Sequence, residues 1–581
     1  MLLDGTAGYL AEQLGAEPSQ IKVILLLVAS VPLSLAYPWF PSTTRSQLAH
    51  LYSLVPSIIF LCFVLDLGLG FVQLLASSLA TWSIVRIGSR NNWGALMPWT
   101  VFAIVMGHLA VNHIERSLNN VPVTTIEITG SQMVLVMKLI SFAWSVYDGQ
   151  RPLEELDATQ KASRIEEVPG LLPFLGYAFF FPSILAGPSF TYRSFDSFTT
   201  HRLFAKEHPA DGSKPVDPTV IPPGRRRKAA KRFATGIIYL AIFSTYGWKY
   251  GMNRLIDRKA VAGLTFVQKF TLMNVAGFIA RTKYYAVWCI AESAFIISGL
   301  GYNPQTKHYD ASRNVRIRSI ELAPNFKVLL DSWNMNTNVW LRECIYKRVA
   351  KKGRKPGFKS TQITFITSAL WHGTNPCYLM TFVLGGFCQA VNRSLRAGLR
   401  PFFLPPGALN VPNPAANEVK VGDKAISLPS TPRVKLQPPP QTPLKTLYDV
   451  LGTICTIVVL NFAVVPFLLL DVQSSLQAWA EVKFYALWMV FVPFFVLNVC
   501  GGTAYLKRLQ RARDKKAEGK RRSKEEQELE RKRVEWEKAE EDKRRRRGEG
   551  LPSFGLDVEG MVEEEEREEM RGESVEGRKE L

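Results

Sequence analysis

Ser-Ala-Leu-Trp-His-Gly-Thr, residues 368–374, places one imidazole, His372, inside an apolar stretch that runs from Ile363 to Ala390. A titratable side chain in hydrocarbon costs roughly 2–4 kcal/mol unless a partner or a water-filled cavity offsets it. A helix over the whole stretch would be about 40 Å long, too long for one upright span and too short for two. Gly373 and Pro376 offer a break directly after the histidine. The stretch is therefore predicted to cross twice, or to dip and return, with His372 deep in the membrane.

Similar apolar runs, each close to the roughly 20 residues that span a bilayer, recur along the 581-residue chain, of which 47% is hydrophobic. They predict an all-α, polytopic transmembrane bundle of about ten to eleven spans with re-entrant or interfacial helices. Asp4, Glu12 and Glu17 precede the first run and argue against a cleaved signal peptide. The other runs are Ile21–Phe40, Leu51–Leu69, Phe71–Ile87, Leu96–Val111, Val134–Tyr147, Leu171–Ala186, Phe233–Trp248, Tyr284–Leu300, Leu447–Leu470 and Phe484–Cys500.

The formal charge of +21 is concentrated between and after the spans, in Arg225–Arg232, Lys347–Lys359 and Lys507–Arg547. Lys and Arg near membrane ends mark the cytoplasmic side, so all three segments are predicted to be cytosolic. An even number of crossings must then separate the first two, which leaves Thr265–Arg281 interfacial or re-entrant. This distribution argues against nucleic acid as a partner and favours anionic lipid headgroups or an anionic cosubstrate.

The predicted organisation has three parts. Residues 1–20 form a polar N-terminal segment, residues 21–505 the transmembrane domain, and residues 506–581 a charged cytosolic tail. The tail is predicted to be helical as far as Arg547 and then disordered, including the acidic block Glu563–Glu569. Two inserts, at about 204–230 and 397–444, are rich in Pro and small polar residues and are predicted to be flexible. Seven cysteines without a C-x-x-C pair predict free thiols and no metal site.

Amides, indoles and a guanidinium are concentrated in Asp331–Arg342, upstream of His372. Helical spacing would place Trp333, Thr337 and Trp340 on one face, with Asn334 and Asn338 on an adjoining face. One interpretation is an interfacial helix with indoles at the headgroup level; the other is a binding or catalytic site. His108 and His113 flank the end of a span, where capping or headgroup contact is expected.

Trp333–Trp340, followed by Ala369–Gly373, resembles the paired signature motifs of the membrane-bound O-acyltransferase family. The resemblance extends from about residue 20 to residue 505 and is greatest to the lysophospholipid acyltransferase branch, in particular its broad-specificity fungal enzymes. The other segments that carry it are Ile128–Met133 with Lys138, Asp148-Gly149, Phe181–Pro188 with Tyr192, Lys283–Tyr285 with Trp288, Ala291 and Glu292, and Ser298–Asn303.

The resemblance implies that His372 is the catalytic base and Asn334 the second catalytic residue. Acyl transfer from a thioester to a hydroxyl needs a base that is neutral near pH 7, and burial favours the neutral imidazole. It also needs a donor that steadies the carbonyl oxygen or orients the nucleophile, as an amide can. The sequence has no G-x-S-x-G elbow before a helix and no cysteine adjacent to His372, so it gives little support to a covalent acyl-enzyme. The expected reaction is direct transfer from acyl-CoA, a cosubstrate, with no bound cofactor or metal.

Several further residues are candidate substrate contacts. Arg342, Arg348, Lys347 and the Lys351–Lys355 cluster could bind the phosphates of CoA or anchor the cytosolic side. Glu292 is either a polar anchor in its span or part of the substrate cavity. Gly187, Pro188 and Tyr192 could form a cavity-lining loop or a simple membrane turn. The remaining candidates are Trp333, Asn338, Trp340, Tyr346 and Trp371.

The sequence leaves three functions open. The first is a lysophospholipid acyltransferase in phospholipid remodelling or synthesis; the second is acyl transfer to a sterol, diacylglycerol or protein hydroxyl; the third is a proton-coupled transporter that uses His372 as a relay. The resemblance implies a multi-pass protein of the endoplasmic reticulum membrane with a cytosolic tail. A protein partner bound through the tail, or a homo-oligomer, is compatible with the sequence.

Overall fold

The structure, a computed structural model, describes residues 2–40, 46–122, 124–204, 221–350, 357–406, 420–421, 424–425 and 441–548. Helices dominate these ranges. The strands found there are β1 (Lys420–Val421) and β2 (Lys424–Ala425), of two residues each, which pair with each other in antiparallel fashion. The predicted all-α class is confirmed.

The N-terminal half is built around one buried helix, α6, most of whose residues are inaccessible to solvent. Its sequence is apolar on nearly every side, which is typical of a helix enclosed by others. The helices of this half are α1 (Asp4–Leu14), α2 (Pro18–Leu33), α3 (Ser46–Ile58), α4 (Gly68–Arg90), α5 (Leu96–Leu118), α6 (Ile128–Gly149), α7 (Ala158–Ser163), α8 (Leu171–Ala178), α9 (Phe181–Ile184) and α10 (Tyr192–Thr199), with 3₁₀ segments at Ser34–Trp39 and Leu153–Glu155 and a π segment at Ile59–Val64.

The C-terminal half contains the longest helices and both sequence motifs. Its helices are α11 (Arg225–Tyr246), α12 (Arg258–Val261), α13 (Phe266–Ser298), α14 (Ile317–Glu321), α15 (Phe326–Leu330), α16 (Met335–Leu341), α17 (Phe358–His372), α18 (Pro376–Gly398), α19 (Pro443–Ala463), α20 (Val465–Leu469), α21 (Val472–Glu481), α22 (Tyr485–Phe494) and α23 (Gly502–Arg547). Short 3₁₀ segments lie at Met252–Leu255 and Arg400–Phe403, and π segments at Arg342–Tyr346 and Phe495–Val499.

Six helical segments in the described ranges are long and apolar enough to cross a membrane, and the bent pair α21–α22 adds a seventh if it is one span. The protein is therefore a polytopic membrane protein. The sequence predicted more spans because α11, α13, α17 and α18 are helical but shorter or more polar than the six. The six are Pro18–Trp39, Gln47–Val64, Gly68–Arg90, Leu96–Leu118, Ile128–Gly149 and Pro443–Leu469.

The predicted span Leu171–Ala186 is wrong. It is divided between α8 and α9, of eight and four residues, and α8 is only about 12 Å long. Phe174, Tyr177 and Phe181 from this region are fully or almost fully buried in the protein core. The apolar run therefore reflects burial among protein helices.

The predicted division between an interfacial Thr265–Arg281 and a span at Tyr284 is also wrong, because α13 is one helix of 33 residues. Thr265 and Gln268 form a capping box that starts it, and Gly299, with φ of +104°, ends it. The charge that interrupts the apolar pattern, Arg281, is buried and paired with Glu321 at 2.8 Å.

The predicted break after His372 is confirmed: α17 ends at His372 and α18 begins at Pro376. The two helices pack against each other in antiparallel fashion. A Cβ on Gly386 would lie 2.5 Å from Oε1 of Gln362, and Arg393 donates to Oγ1 of Thr361 at 3.5 Å. His372 therefore lies at the closed end of the helical hairpin formed by α17 and α18.

The predicted inserts and tail are partly described. Residues 205–220 of the first insert lie outside the described residues, and so do 407–419, 422–423 and 426–440 of the second. Most of α23, a 46-residue helix about 70 Å long, belongs to a second compact unit that begins at Arg508. It carries ion pairs at i,i+4 spacing, such as Arg531 with Glu535. The acidic block Glu563–Glu569 lies outside the described residues.

Candidate active site

The backbone around His372 is a rigid turn. Gly373 has φ of +151°, and a Cβ there would lie 2.7 Å from Cε2 of Tyr378, so a larger residue would be both strained and in collision. Asn375 caps α18 through its Oδ1, and its Nδ2 donates to the carbonyl of Leu470 at 2.9 Å. These contacts fix the direction in which His372 leaves α17.

Aromatic rings hold the His372 imidazole. Phe382 stacks on it with centroids 5.0 Å apart, Phe467 meets it edge-on at 5.0 Å, and Tyr378 lies at 5.8 Å. Within the part of the chain that the structure describes, neither ring nitrogen has a hydrogen-bond partner. The ring is thus oriented by packing, while its nitrogens remain available to a substrate.

A second imidazole, His113 on α5, lies against the same turn. Its Nε2 is 3.4 Å from the carbonyl oxygen of Trp371, and a Cβ on Gly373 would lie 3.7 Å from its Nδ1. His113 therefore contacts a carbonyl in the last turn of α17, a different helix from its own. Its partner is more than 250 positions away in the chain, so no local pattern could have indicated the contact.

Asn334 is the N-cap of α16 and has a left-handed backbone, with φ of +41°. Asparagine is among the few residues with a side chain that adopt this conformation readily. Its Oδ1 accepts a hydrogen bond from Oγ1 of Thr337 at 2.9 Å. Among the described residues its Nδ2 has no partner, which leaves an amide donor free beside the site.

A short segment upstream holds the backbone on both sides of Asn334. The carbonyl of Asn314 accepts from the N–H of Met335 at 2.9 Å, and Arg316 donates its N–H to the carbonyl of Ser332 at 3.0 Å. The Asn314 side chain, only 2% exposed, also accepts from the N–H of Asn336 at 3.2 Å. Sequence reasoning missed this contact of Asn314 with the site, because Asn314 lies in a loop with no pattern of its own.

The predicted common face of Trp333, Thr337 and Trp340 is wrong, because the left-handed turn at Asn334 separates Trp333 from α16. The Trp333 indole instead packs among aromatic side chains of α13, with its ring 5.0 Å from that of Trp288. Asn338 does not share a face with Asn334 either; its Nδ2 donates to the carbonyl of Leu330 at 2.9 Å and ties α16 to α15.

Trp340 joins the two motifs, since its ring lies 5.9 Å from that of Trp371. Both motifs also rest on α6. Trp371 donates its indole N–H to the carbonyl of Met133 at 2.9 Å, and Thr337 contacts Sδ of Met137 at 3.2 Å. Met133 and Met137 are one helical turn apart and lie on one face of α6. This face brings the elements that carry His372 and Asn334 together.

The same face of α6 continues to Asp148, which holds Arg348. The guanidinium makes two hydrogen bonds to the carboxylate, at 2.8 and 2.5 Å, and lies 4.2 Å from the ring of Trp144. Such a fork is a strong and directional contact. Arg348 is therefore engaged within the protein, and its geometry favours anchoring over a phosphate contact.

The other predicted basic contacts also have carboxylate neighbours. Arg342 pairs with Glu343 at 2.9 Å, and Lys347 with Asp157 and Glu343 at 2.6 Å each. Tyr346 is partly buried at the end of the π segment that follows α16. Of the cluster Lys351–Lys355, nothing lies within the described residues.

Glu292 is fully buried and pairs with Arg232, whose Nε donates at 2.8 Å, while Arg313 lies 3.9 Å away. Arg232 also donates to the carbonyl of Val315 at 2.8 Å. The pair joins α13 to α11. Of the two interpretations of Glu292, its contacts favour the polar anchor.

Gly187, Pro188 and Tyr192 are buried in the core and do not meet either motif. A Cβ on Gly187 would lie 2.4 Å from Cα of Ser183, and the Tyr192 ring packs 5.7 Å from that of Phe142. The geometry is that of a tight, packed turn. The described residues include no group of three His, Cys, Asp or Glu side chains placed to hold a metal ion, and the cysteines are free thiols.

Comparison with known proteins agrees with this architecture. The family model described as MBOAT, membrane-bound O-acyltransferase family, matches residues 117–412. The chain is 34% identical over 501 residues to a lysophospholipid acyltransferase of Schizosaccharomyces pombe, covering 86% of this chain and 90% of that protein. It is 36% identical over 502 residues to a lysophospholipid acyltransferase of Saccharomyces cerevisiae, covering 83% and 75%. Membrane-bound glycerophospholipid O-acyltransferase 2 of Mus musculus is 26% identical over 493 residues, 83% of each chain. The chain thus belongs to the membrane-bound O-acyltransferase family.

Proposed function

We propose that the protein is a lysophospholipid acyltransferase, which moves a fatty acyl group from acyl-CoA to the free hydroxyl of a lysophospholipid. The observation that carries this proposal is that His372 and Asn334 lie on elements that share one face of α6, while the imidazole nitrogens and the amide Nδ2 have no hydrogen-bond partner among the described residues. The names of the fungal relatives support the acceptor class over a sterol, diacylglycerol or protein hydroxyl.

In this mechanism, His372 takes the proton of the lysophospholipid hydroxyl as its oxygen attacks the thioester carbonyl. The C–O bond forms, the C–S bond breaks, and the thiol of CoA leaves with a proton. General base catalysis of this kind contributes about 10²–10⁴-fold to the rate. Asn334 donates its amide N–H to the developing oxyanion or orients the hydroxyl. Packing of the imidazole between rings holds it in one orientation for accepting that proton.

The proposed location is the endoplasmic reticulum membrane, with the tail on the cytosolic side. The basic residues at the start of α11 and along α23 support this orientation, because Lys and Arg at membrane ends favour the cytosol. Acyl-CoA, an anionic cosubstrate, would then approach from the same side.

The test uses the purified full-length protein in lipid nanodiscs, supplied with acyl-CoA and, separately, lysophospholipids, a sterol and diacylglycerol. We expect phospholipid formation, detected by mass spectrometry, only with lysophospholipids. His372→Gln should lower kcat by at least about 100-fold, and Asn334→Ala by about 100-fold. His308→Gln, at an exposed histidine, is the matched control and should retain activity. Acylation of a sterol or diacylglycerol instead, or full activity of His372→Gln, would contradict the proposal.

A further inference from the structure

A cavity of about 180 Å³ lies between the C-terminal end of α11, the segment that follows it, the middle of α13 and α20. Its walls are aromatic, aliphatic or neutral polar, and include the amide of Asn253 and the phenol of Tyr250. One lining residue is charged, Lys283 on α13, and no carboxylate lines the cavity. The cavity therefore presents a single cation among aromatic, aliphatic and neutral polar walls.

Lys283 differs from the other basic residues of α13. Lys269 pairs with Glu481 at 2.6 Å and Arg281 with Glu321 at 2.8 Å. Lys283 is exposed, and within the described ranges it has neither an ion-pair nor a hydrogen-bond partner. Its Nζ lies 5.8 Å from the ring centroid of Phe243 and 5.4 Å from that of Tyr284, both of which line the cavity.

The cavity adjoins both catalytic motifs. On one wall, the ring of Tyr284 lies 5.6 Å from that of Trp333, the residue before Asn334. On another wall, Leu468 follows Phe467, whose ring lies 5.0 Å from the imidazole of His372. Residues that line the cavity therefore contact Trp333 of one motif and are adjacent in sequence to a residue that contacts His372 of the other.

A lysine ammonium that lines a cavity and has no carboxylate partner in the described ranges is available to bind an anion. Both substrates supply phosphate, but at different distances from the reacting atoms. In a 1-acyl lysophospholipid the free hydroxyl is on the glycerol carbon next to the one that carries the phosphodiester. In acyl-CoA the whole pantetheine arm separates the phosphates from the thioester. An anion site beside the catalytic residues therefore fits the lipid.

We propose that Lys283 binds the phosphodiester of the lysophospholipid acceptor and so distinguishes it from a neutral acylglycerol. This inference rests on the proposed function, and it adds the group that recognises the headgroup side of the acceptor. An ammonium is a compact point charge that matches a phosphate oxygen.

The experiment compares the wild type, Lys283→Met and Lys283→Arg as full-length proteins in nanodiscs. Steady-state kinetics are measured with a 1-acyl lysophospholipid, with 1-acylglycerol as the same acceptor without phosphate, and with acyl-CoA varied separately. Lys259→Met, at an exposed lysine that does not line the cavity, is the matched control. Thermal midpoints report folding.

For Lys283→Met we expect the KM for lysophospholipid to rise about 10- to 100-fold, since a hydrogen bond to a charged group is lost. The KM for acyl-CoA should stay within twofold, and the preference for lysophospholipid over acylglycerol should collapse. Lys283→Arg should keep much of the preference for lysophospholipid over acylglycerol. A rise in the KM for acyl-CoA alone would assign the site to CoA and overturn the inference. Unchanged constants, or an equal fall in kcat for both acceptors, would also overturn it. A wild type inactive on every lysophospholipid would instead refute the proposed function.

Discussion

The indole of Trp340 lies 5.9 Å from that of Trp371, and through this contact two motifs that are separate in the sequence meet beside α6. Trp371 also donates its N–H to the carbonyl of Met133. The pair links the helix that Asn334 caps to the helix that ends at His372. The geometry of the site should therefore depend on both indoles.

Trp371→Phe keeps an aromatic ring but removes the N–H donor. We expect kcat to fall by about 10-fold or more, because a small displacement of the neighbouring His372 is costly in catalysis, and KM for acyl-CoA to change little. Trp82→Phe is the matched control, since Trp82 likewise donates its indole N–H to a backbone carbonyl, that of Pro169, at 2.9 Å. Equal losses in both variants would argue against a positioning role for Trp371.

Asn314→Ala should lower kcat by about 10-fold or more, with a loss of about 1–3 kcal/mol in stability from the unpaired N–H of Asn336. The comparison is Asn325→Ala, which removes the N-cap hydrogen bond to Val328 on α15 at a similar cost of about 0.5–2 kcal/mol. Thermal midpoints and kcat are measured for both. The prediction fails if activity follows stability equally in the two variants.

Gly373→Ala should abolish activity, since alanine would be strained at this φ and its Cβ would collide with Tyr378. Gly263→Ala isolates the strain, because Gly263 has φ of +75° but no atom within 4 Å of the added Cβ. We expect Gly263→Ala to lose about 1–2 kcal/mol of stability and to keep its kcat. An active Gly373→Ala protein would show that the turn tolerates a shift of Tyr378.

Glu292→Gln tests the anchor against the cavity interpretation. Breaking a buried ion pair leaves Arg232 without its carboxylate, at a cost of about 3–5 kcal/mol. The thermal midpoint should fall while the KM values of the folded protein stay within twofold. Glu535→Gln, in an exposed pair with Arg531 on α23, should leave the midpoint unchanged. A raised KM with an unchanged midpoint would place Glu292 in the substrate cavity.

Local sequence signals predicted the break after His372 well, because Gly373 and Pro376 limit the backbone by themselves. They failed where the outcome depends on distant partners. Spacing rules assume a regular helix, so they could not anticipate the left-handed backbone of Asn334. This conformation is accompanied by the hydrogen bond from the N–H of Met335 to the carbonyl of Asn314. Hydropathy interpreted Arg281 as an interruption of α13, whereas its pairing with Glu321 allows the helix to continue.

The roles of the basic residues likewise depend on partners that are distant in the sequence. The sequence left two roles open for Arg348 and Lys347, binding of CoA phosphates or anchoring of the cytosolic side. Lys347 has one carboxylate partner a helical turn away, Glu343. The other partners, Asp148 of Arg348 and Asp157 of Lys347, lie about 200 positions away in the chain and become visible only when α6 and the start of α7 pack nearby. Lys283, by contrast, was noted only as part of a resemblance, and its unpaired state follows from the cavity that the packing leaves around it.

The position of His372 at the last residue of α17 has an electrostatic consequence. The aligned peptide dipoles of a helix leave about half a negative charge at its C-terminus, where a cation is stabilised by about 0.3–1 kcal/mol, and by up to about 2 kcal/mol when partly buried. In the proposed reaction, the imidazole takes the substrate proton and becomes such a cation. The helix end therefore stabilises the charge that develops during the reaction more than the resting neutral ring, and so contributes to lowering the barrier without touching the substrate.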